Sequence, residues 1–167
     1  LCKEYGLRPL AVHYDNTWNS TTATTNIRNL LKITNVDLHT KVAQNTDVDS
    51  MMLAFLKAGV IDIDAHTDLA IFATLNEAAI KYNIKYMFDG HSFMTEGFSS
   101  IGDIYFDGKY IKEVHKRFGN IEMKTYPLMT LTAFLKWTLL LRIKRVQPFW
   151  YIKYSKEEAK EYLKKKF

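Results

Sequence analysis

Two polar loops hold the residue types that chemistry needs. The run Asp89-Gly90-His91-Ser92-Phe93-Met94-Thr95-Glu96-Gly97 sets an imidazole, two hydroxyls and a carboxylate between glycines, which permit tight turns and close backbone approach. Such parts suit work on phosphate groups: donors for oxygens, a carboxylate for Mg2+, and little bulk. Gly-His-Ser also occurs in plain loops, so the pattern alone does not fix the chemistry. The other loop, His13-Tyr14-Asp15-Asn16-Thr17-Trp18-Asn19-Ser20, puts Asp15 where a strand end would present a carboxylate, with four polar side chains behind it. It reads as a binding loop, or as N-capping of the next helix by Asn19 or Ser20. A third group, Asp62, Asp64, His66, Thr67 and Asp68, reads as a metal site or as a polar loop with an N-cap at Thr67. His13 is expected to be a hydrogen-bonded core residue, and His39 and His115 to be structural. No Gly-x-Ser-x-Gly elbow, His-Glu-x-x-His pair or zinc spacing occurs.

These loops need elements to position them. Leu10 to Asp15 is a short apolar run that predicts a buried strand. A helix should begin near Ser20, because Ile27, Leu30, Leu31 and Thr34 share one face. Val36 to Val42 reads as a second strand. Asp47 to Ala58 reads as a helix with a stripe of Val48, Met51, Met52, Phe55 and Leu56, closed by Gly59. A long apolar helix is predicted from Asp68 to about Tyr82, then a strand from Ile84 to Phe88. Short apolar strands alternating with helices predict an α/β fold with a doubly wound, mostly parallel sheet. Ligands bind such sheets at the carboxyl ends of the strands, which is where Asp15 and Asp89 lie. Beyond Ser99 the alternation stops, and a mainly helical extension is expected. Ile104 to Ile111 predicts a hairpin around Asp107-Gly108. Leu128 to Leu141 predicts a buried helix ended by Pro148. It is too short for a membrane span of about 20 residues, and it contains Lys136. Ser155 to Glu158 is a capping box for a last helix. The expected division is an α/β domain over 1–98 and a hairpin-and-helix extension over 99–167.

The composition, 47% hydrophobic, 25% charged and 14% aromatic, excludes a disordered chain, a collagen-like repeat and a disulfide scaffold. Cys2 is the one cysteine, so neither an internal disulfide nor a Cys-rich zinc site is available. A reducing, cytoplasmic setting is expected. No initiator Met or signal segment opens the sequence, and it reads as a fragment. The net charge of +5 is concentrated: residues 142–167 hold nine Lys/Arg against three Glu, a net of +6, and residues 1–141 hold 14 against 15, a net of −1. The basic end reads as a solvated helix face, or as a surface for nucleic acid or an anionic membrane.

The run Arg8 to Ser20 resembles the second strand and following loop of the N-acetyl sugar amidotransferases, PP-loop ATP pyrophosphatases of lipopolysaccharide and related surface-glycan biosynthesis. Phe88 to Gly97 is similar to their Glu-Gly-His-Ser-Phe-Arg-Thr-Glu-Gly motif, with Asp89 and Met94 at the Glu and Arg positions. Ala58-Gly59-Val60 with Asp64 to Asp68 resembles their Lys-Ala-Gly-Val…Asp-x-Pro-Thr-Asp loop, with His66 in place of Pro. Arg145-Val146-Gln147-Pro148 and Tyr154 to Ala159 also resemble family segments.

The resemblance implies a PP-loop ATPase sheet of the adenine nucleotide alpha hydrolase type. It places the family's Ser-Gly-Gly-x-Asp-Ser phosphate loop upstream of Leu1 and further sequence after Phe167. It also implies the reaction, in which ATP adenylates the acetamido oxygen of a nucleotide-linked sugar and ammonia then displaces AMP to leave an acetamidino group. Ammonia would come from a separate glutaminase through a cyclase-like channel subunit. Asp15 and Asn16 would border the adenosine of ATP. His91, Ser92, Thr95 and Glu96 would face the phosphates and Mg2+, with Glu96 as metal carboxylate and His91 as charge stabiliser or proton donor. Asp64, Thr67 and Asp68 would lie near the reacting sugar, with Asp68 counted as catalytic. No nucleic acid is expected. The rivals are a tRNA-modifying PP-loop enzyme, whose usual catalytic cysteines are missing here, and a non-catalytic nucleotide-binding regulatory module.

Overall fold

A computed structural model describes residues 2–91, 107–153 and 155–166. After a one-turn helix α1 (Cys2–Tyr5), strand β1 (Leu10–Asp15) leads through a loop into helix α2 (Thr21–Thr34). Strand β2 (Asp37–Val42) follows, then helices α3 (Asn45–Ala58) and α4 (Ala65–Lys81) and strand β3 (Tyr86–Phe88). Beyond the second loop come α5 (Gly108–Phe118), α6 (Leu131–Leu135) continued by a π turn (Lys136–Leu140), strand β4 (Lys144–Val146), a 3-10 turn (Pro148–Trp150) and α7 (Lys156–Lys166).

The chain is mixed α/β with short parallel strands. β1 pairs with β2 from Leu10 opposite Asp37 to Asp15 opposite Val42, and β3 pairs with β4 from Tyr86 opposite Lys144 to Phe88 opposite Val146. The described strands thus form two two-stranded sheets with no ladder between β1 and β3. Helix α4 packs against both β1 and β3. The main core joins Tyr14 of β1, Val48, Met51 and Phe55 of α3, Leu69 and Ala70 of α4, Ile111 and Val114 of α5, and Tyr126. A smaller cluster holds Ala79, Trp137 and Ile143.

Ser20 caps α2, accepting from the Ala23 amide at 3.1 Å, and Asn35 closes it in the left-handed region at φ 52°. The predicted face of α2 is only partly turned inward: Ile27, Leu31 and Thr34 are half-buried, but Leu30 is exposed. Gly59 closes α3 at φ 61° as expected. β1 is less buried than predicted, since only Tyr14 is fully enclosed.

Four expectations are corrected. The Asp107-Gly108 hairpin is instead the start of α5: Asp107 Oδ1 accepts from the Lys109 and Tyr110 amides at 3.0 Å, an N-cap and not a turn. Gly108 is needed there for close approach, because its amide donates to Met129 O at 2.6 Å and a Cβ would stand 2.8 Å from that oxygen. Leu128 to Leu141 is not one buried helix. Thr130 caps it late, the backbone widens into the π turn, Arg142 turns back at φ 54°, and within α6 and the π turn only Trp137 is buried. Pro148 does not end this element; it opens the 3-10 turn after the unforeseen β4. Lastly, α4 begins a turn before Asp68, with Asp64 and not Thr67 at its N-cap, which leaves Thr67 inside the first turn.

Candidate functional site

The carboxyl end of β1 carries the first candidate loop, and its own side chains shape it. Asp15 Oδ1 accepts from the Thr17 amide and from Asn19 Nδ2, both at 2.8 Å, and Asn16 Oδ1 accepts from the Trp18 amide at 3.2 Å. These contacts stabilise Thr17 at φ 68°, a conformation that costs a non-glycine residue energy. Thr17 Oγ1 then donates to Asn45 Oδ1 at 2.5 Å, tying the loop to the start of α3. His13 is half-buried and meets Asn19 Nδ2 at 3.2 Å, so it is hydrogen-bonded as expected but is not a core residue.

Beneath this loop lies a buried polar and aromatic set that the sequence reading did not find. Tyr14 meets Tyr126 edge-on at 6.5 Å between ring centroids. The Tyr126 hydroxyl lies 2.6 Å from His66 Nδ1, and Thr67 Oγ1 lies 3.3 Å from the same nitrogen. Phe55 closes the other side of the His66 ring at 4.9 Å. His66 is fully enclosed and its Nε2 has no partner. Burial pushes its pKa down from 6.5 to about 4, against a weaker upward pull from Asp64 and Asp62. Burial also pushes the Tyr14 hydroxyl up to about 12 and the Tyr126 hydroxyl further, so both stay protonated near neutrality. Enclosed between Phe55 and Tyr126, the His66 ring packs as a member of the core. Among the described residues no group of three or more His, Cys, Asp or Glu is placed to hold a metal ion, which removes the metal reading of Asp62, Asp64, His66, Thr67 and Asp68.

The segment that delivers Tyr126 is fixed by Asp47, which is buried at the start of α3. Asp47 Oδ2 accepts from the Lys124 amide at 3.2 Å, the Thr125 amide at 2.8 Å and Thr125 Oγ1 at 3.0 Å. Nearby, Ser50 Oγ meets His115 Nε2 at 2.8 Å and donates to Asn120 Oδ1 at 2.9 Å. His115 is therefore structural, as expected. His39 is half-buried, with its Nδ1 3.2 Å from the Tyr82 hydroxyl.

The second loop starts at the carboxyl end of β3. Asp89 Oδ1 accepts from the His91 amide at 3.1 Å, closing a turn around Gly90. Its Oδ2 accepts from Arg145 Nε at 2.6 Å, from Arg145 Nη2, and from Gln147 Nε2 at 3.4 Å. Arg145 also lies over the Phe72 ring of α4 at 5.1 Å. Burial alone would raise the Asp89 pKa, but the Arg145 hydrogen bonds and charge, with the His91 amide, outweigh it and hold the carboxyl below its usual range. His91 is half-buried. Ser92, Thr95 and Glu96 lie outside the described residues, as do the predicted boundary at 98/99 and the first residues of the predicted hairpin.

The structure therefore joins Asp15 and Asn16 of the first loop, through Tyr14 and Tyr126, to Thr67 at the start of α4. Asp64 and Asp68 stand at that same helix start, exposed, and Asp64 is close enough to act on the charge balance of His66 and Tyr126. His91 belongs to the other sheet. A surface pocket lined by Cys2, Gly6, Arg8, Thr34 and Asp37 sits at the amino ends of β1 and β2, away from Asp15. That is the end of a parallel sheet where ligands are not held. Comparison with protein-family models, curated proteins and solved structures returns no match for this chain. No helix among the described residues is long and apolar enough to cross a membrane.

Proposed function

We propose that this chain is part of an ATP-dependent amidotransferase that converts the acetamido group of a nucleotide-linked sugar into an acetamidino group, in lipopolysaccharide O-antigen or related surface-glycan biosynthesis. The observation that carries this reading is the clamp on Asp89. Two segments that resemble family motifs, Asp89-Gly90-His91 and Arg145-Val146-Gln147-Pro148, meet through the β3–β4 pairing and three side-chain hydrogen bonds. Chance similarity in two unrelated stretches gives no reason for them to meet.

Asp15 and Asn16 suit the adenosine of ATP. They stand at a strand's carboxyl end, and the contacts within the loop engage Asp15 Oδ1 and leave Oδ2 for a hydroxyl or amine of the substrate. Glu96 is the proposed Mg2+ ligand. In the proposed reaction the acetamido oxygen attacks the α-phosphorus and pyrophosphate leaves. Ammonia then adds at the activated carbon, AMP departs with that oxygen, and a proton is lost. Activation is needed because an amide oxygen is a poor leaving group. His91 would steady the charge or donate the proton, and Asp64, Thr67 and Asp68 would border the sugar. Ammonia would reach the site from a glutaminase partner through a cyclase-like channel subunit.

Reading the encoding DNA upstream of Leu1 tests this directly. A Ser-Gly-Gly-x-Asp-Ser run supports the enzyme. A start codon with no such run replaces it with a nucleotide-binding regulatory module. Turnover that survives alanine at His91 or Glu96 in the natural product would remove those two roles.

A further inference from the structure

We infer that Tyr151, Ile152 and residues 156–165 of helix α7 form a docking face for an anionic lipid bilayer. Large side chains with apolar surface stand largely in solvent on helix α7 and just before it: Tyr151 is 89% exposed, Ile152 60%, Tyr162 56% and Leu163 53%. Within α7, Ala159, Tyr162 and Leu163 share one narrow apolar strip at i, i+3 and i+4, and Lys156, Lys160 and Lys164 form a basic stripe beside it. Glu157 and Glu161 lie on the far side of that stripe, with Glu161 four residues before Lys165. The apolar and cationic side chains thus share a surface; Glu157 and Glu161 lie beyond its basic edge, and Glu158, four residues before Tyr162, borders the apolar strip on its other side.

That pairing identifies the partner by its chemistry. A bilayer of anionic lipids offers negative headgroups above an apolar layer. Lysine suits this boundary, because its stem lies along apolar material while the ammonium reaches the headgroups. Tyr151 and Tyr162 are amphipathic rings of the kind that settle at that depth. Nucleic acid fits less well. Every basic residue of α7 is lysine and none is arginine, the residue suited to bidentate phosphate contacts. Ile152 and Leu163 have no counterpart on a polynucleotide backbone. The nearest arginine in the sequence, Arg145, is held by Asp89. The net charge of +6 over residues 142–167, on a chain otherwise close to neutral, supplies the attraction.

The test is sedimentation of the 167-residue chain with vesicles of phosphatidylcholine alone and of phosphatidylcholine mixed with phosphatidylglycerol. Binding to the mixed vesicles only, weakened by salt, is the expected result. Changing Lys156, Lys160 and Lys164 together to Gln should lower the partition coefficient by about fivefold per lysine, roughly 100-fold in all. Tyr151→Ser with Ile152→Ser should remove the binding that persists at high salt. These sites are exposed, so circular dichroism should show unchanged folding. Equal binding to neutral vesicles, no binding to anionic ones, or no effect of the lysine changes overturns the proposal. Retention on single-stranded RNA without vesicle binding overturns it in favour of nucleic acid. Vesicle binding that disappears in the natural full-length product overturns it too, because the face would then be covered by the chain's own continuation.

Discussion

Replacing His66 with glutamine should flatten the acid side of the stability curve. In the folded chain His66 is enclosed between Phe55 and Tyr126, and burial pushes its pKa down from 6.5 to about 4. The unfolded chain takes up that proton near 6.5, so it binds more protons than the folded chain between these two values. The stabilisation from keeping this imidazole neutral is therefore complete above about 6.5 and is lost as pH falls toward about 4. Each pH unit in that window is worth about 1.4 kcal/mol, with a ceiling of roughly 3 kcal/mol across it. Most domains have only about 5–15 kcal/mol in total, so the effect is large enough to read. Urea unfolding of the wild type and His66→Gln at intervals from neutral pH to pH 4.5 supplies the assay. Glutamine can still hydrogen-bond the Tyr126 hydroxyl, and it does not titrate. Its curve should keep a residual slope, because burial also lowers the pKa of His115. The gap between the two curves should close by about 1 kcal/mol between pH 6.5 and 5.5. Parallel curves would show that His66 is not buried neutral, and the packing of Tyr126 over it would then be wrong.

Three further outcomes follow from the same geometry. Gly119→Ala should cost about 1–3 kcal/mol, because its Cβ would stand 2.6 Å from both His115 O and His115 Nε2; thermal unfolding measures this, and a neutral result would mean that α5 ends differently. Asp47→Ala should cost about 2–4 kcal/mol, since three donors from Lys124 and Thr125 lose their acceptor, and hydrogen exchange should quicken at those two amides. Asp89→Asn should destabilise by about 1 kcal/mol after allowance for solvent screening, with faster exchange at the His91 amide. The wild-type contribution is present above the ordinary carboxylate pKa and disappears as pH falls through the lowered one, so the two proteins should converge in acid.

The elements around the first loop were legible because each is announced locally. Leu10 to Asp15 is an apolar run, Ser20 and Gly59 sit at helix ends, and Ile27, Leu31 and Thr34 keep a helical period. What was not legible lies in long-range pairing. Arg145 and Asp89 are 56 residues apart, and Tyr126 and His66 are 60 apart. Nothing near either residue signals its partner. The apolar run Ile84 to Phe88 announced β3, but the three-residue β4 is too short to show a period and only pairing defines it. Asp107-Gly108 misled for a physical reason: Asp favours both turns and N-caps, and the Gly is needed for contact with Met129, which sequence spacing cannot reveal. The apolar run Leu128 to Leu141 suggested burial, but Thr130 and the turn at Arg142 limit it to a short helix and a π turn.

The central claim is tested most directly by one assay on the natural full-length product, supplied with ATP, Mg2+, ammonia and a UDP-linked diacetamido sugar. The account predicts AMP and pyrophosphate formed only when the sugar is present, with a sugar product in which NH has replaced the acetamido oxygen. ATP binding without sugar-dependent release of AMP and pyrophosphate would contradict it.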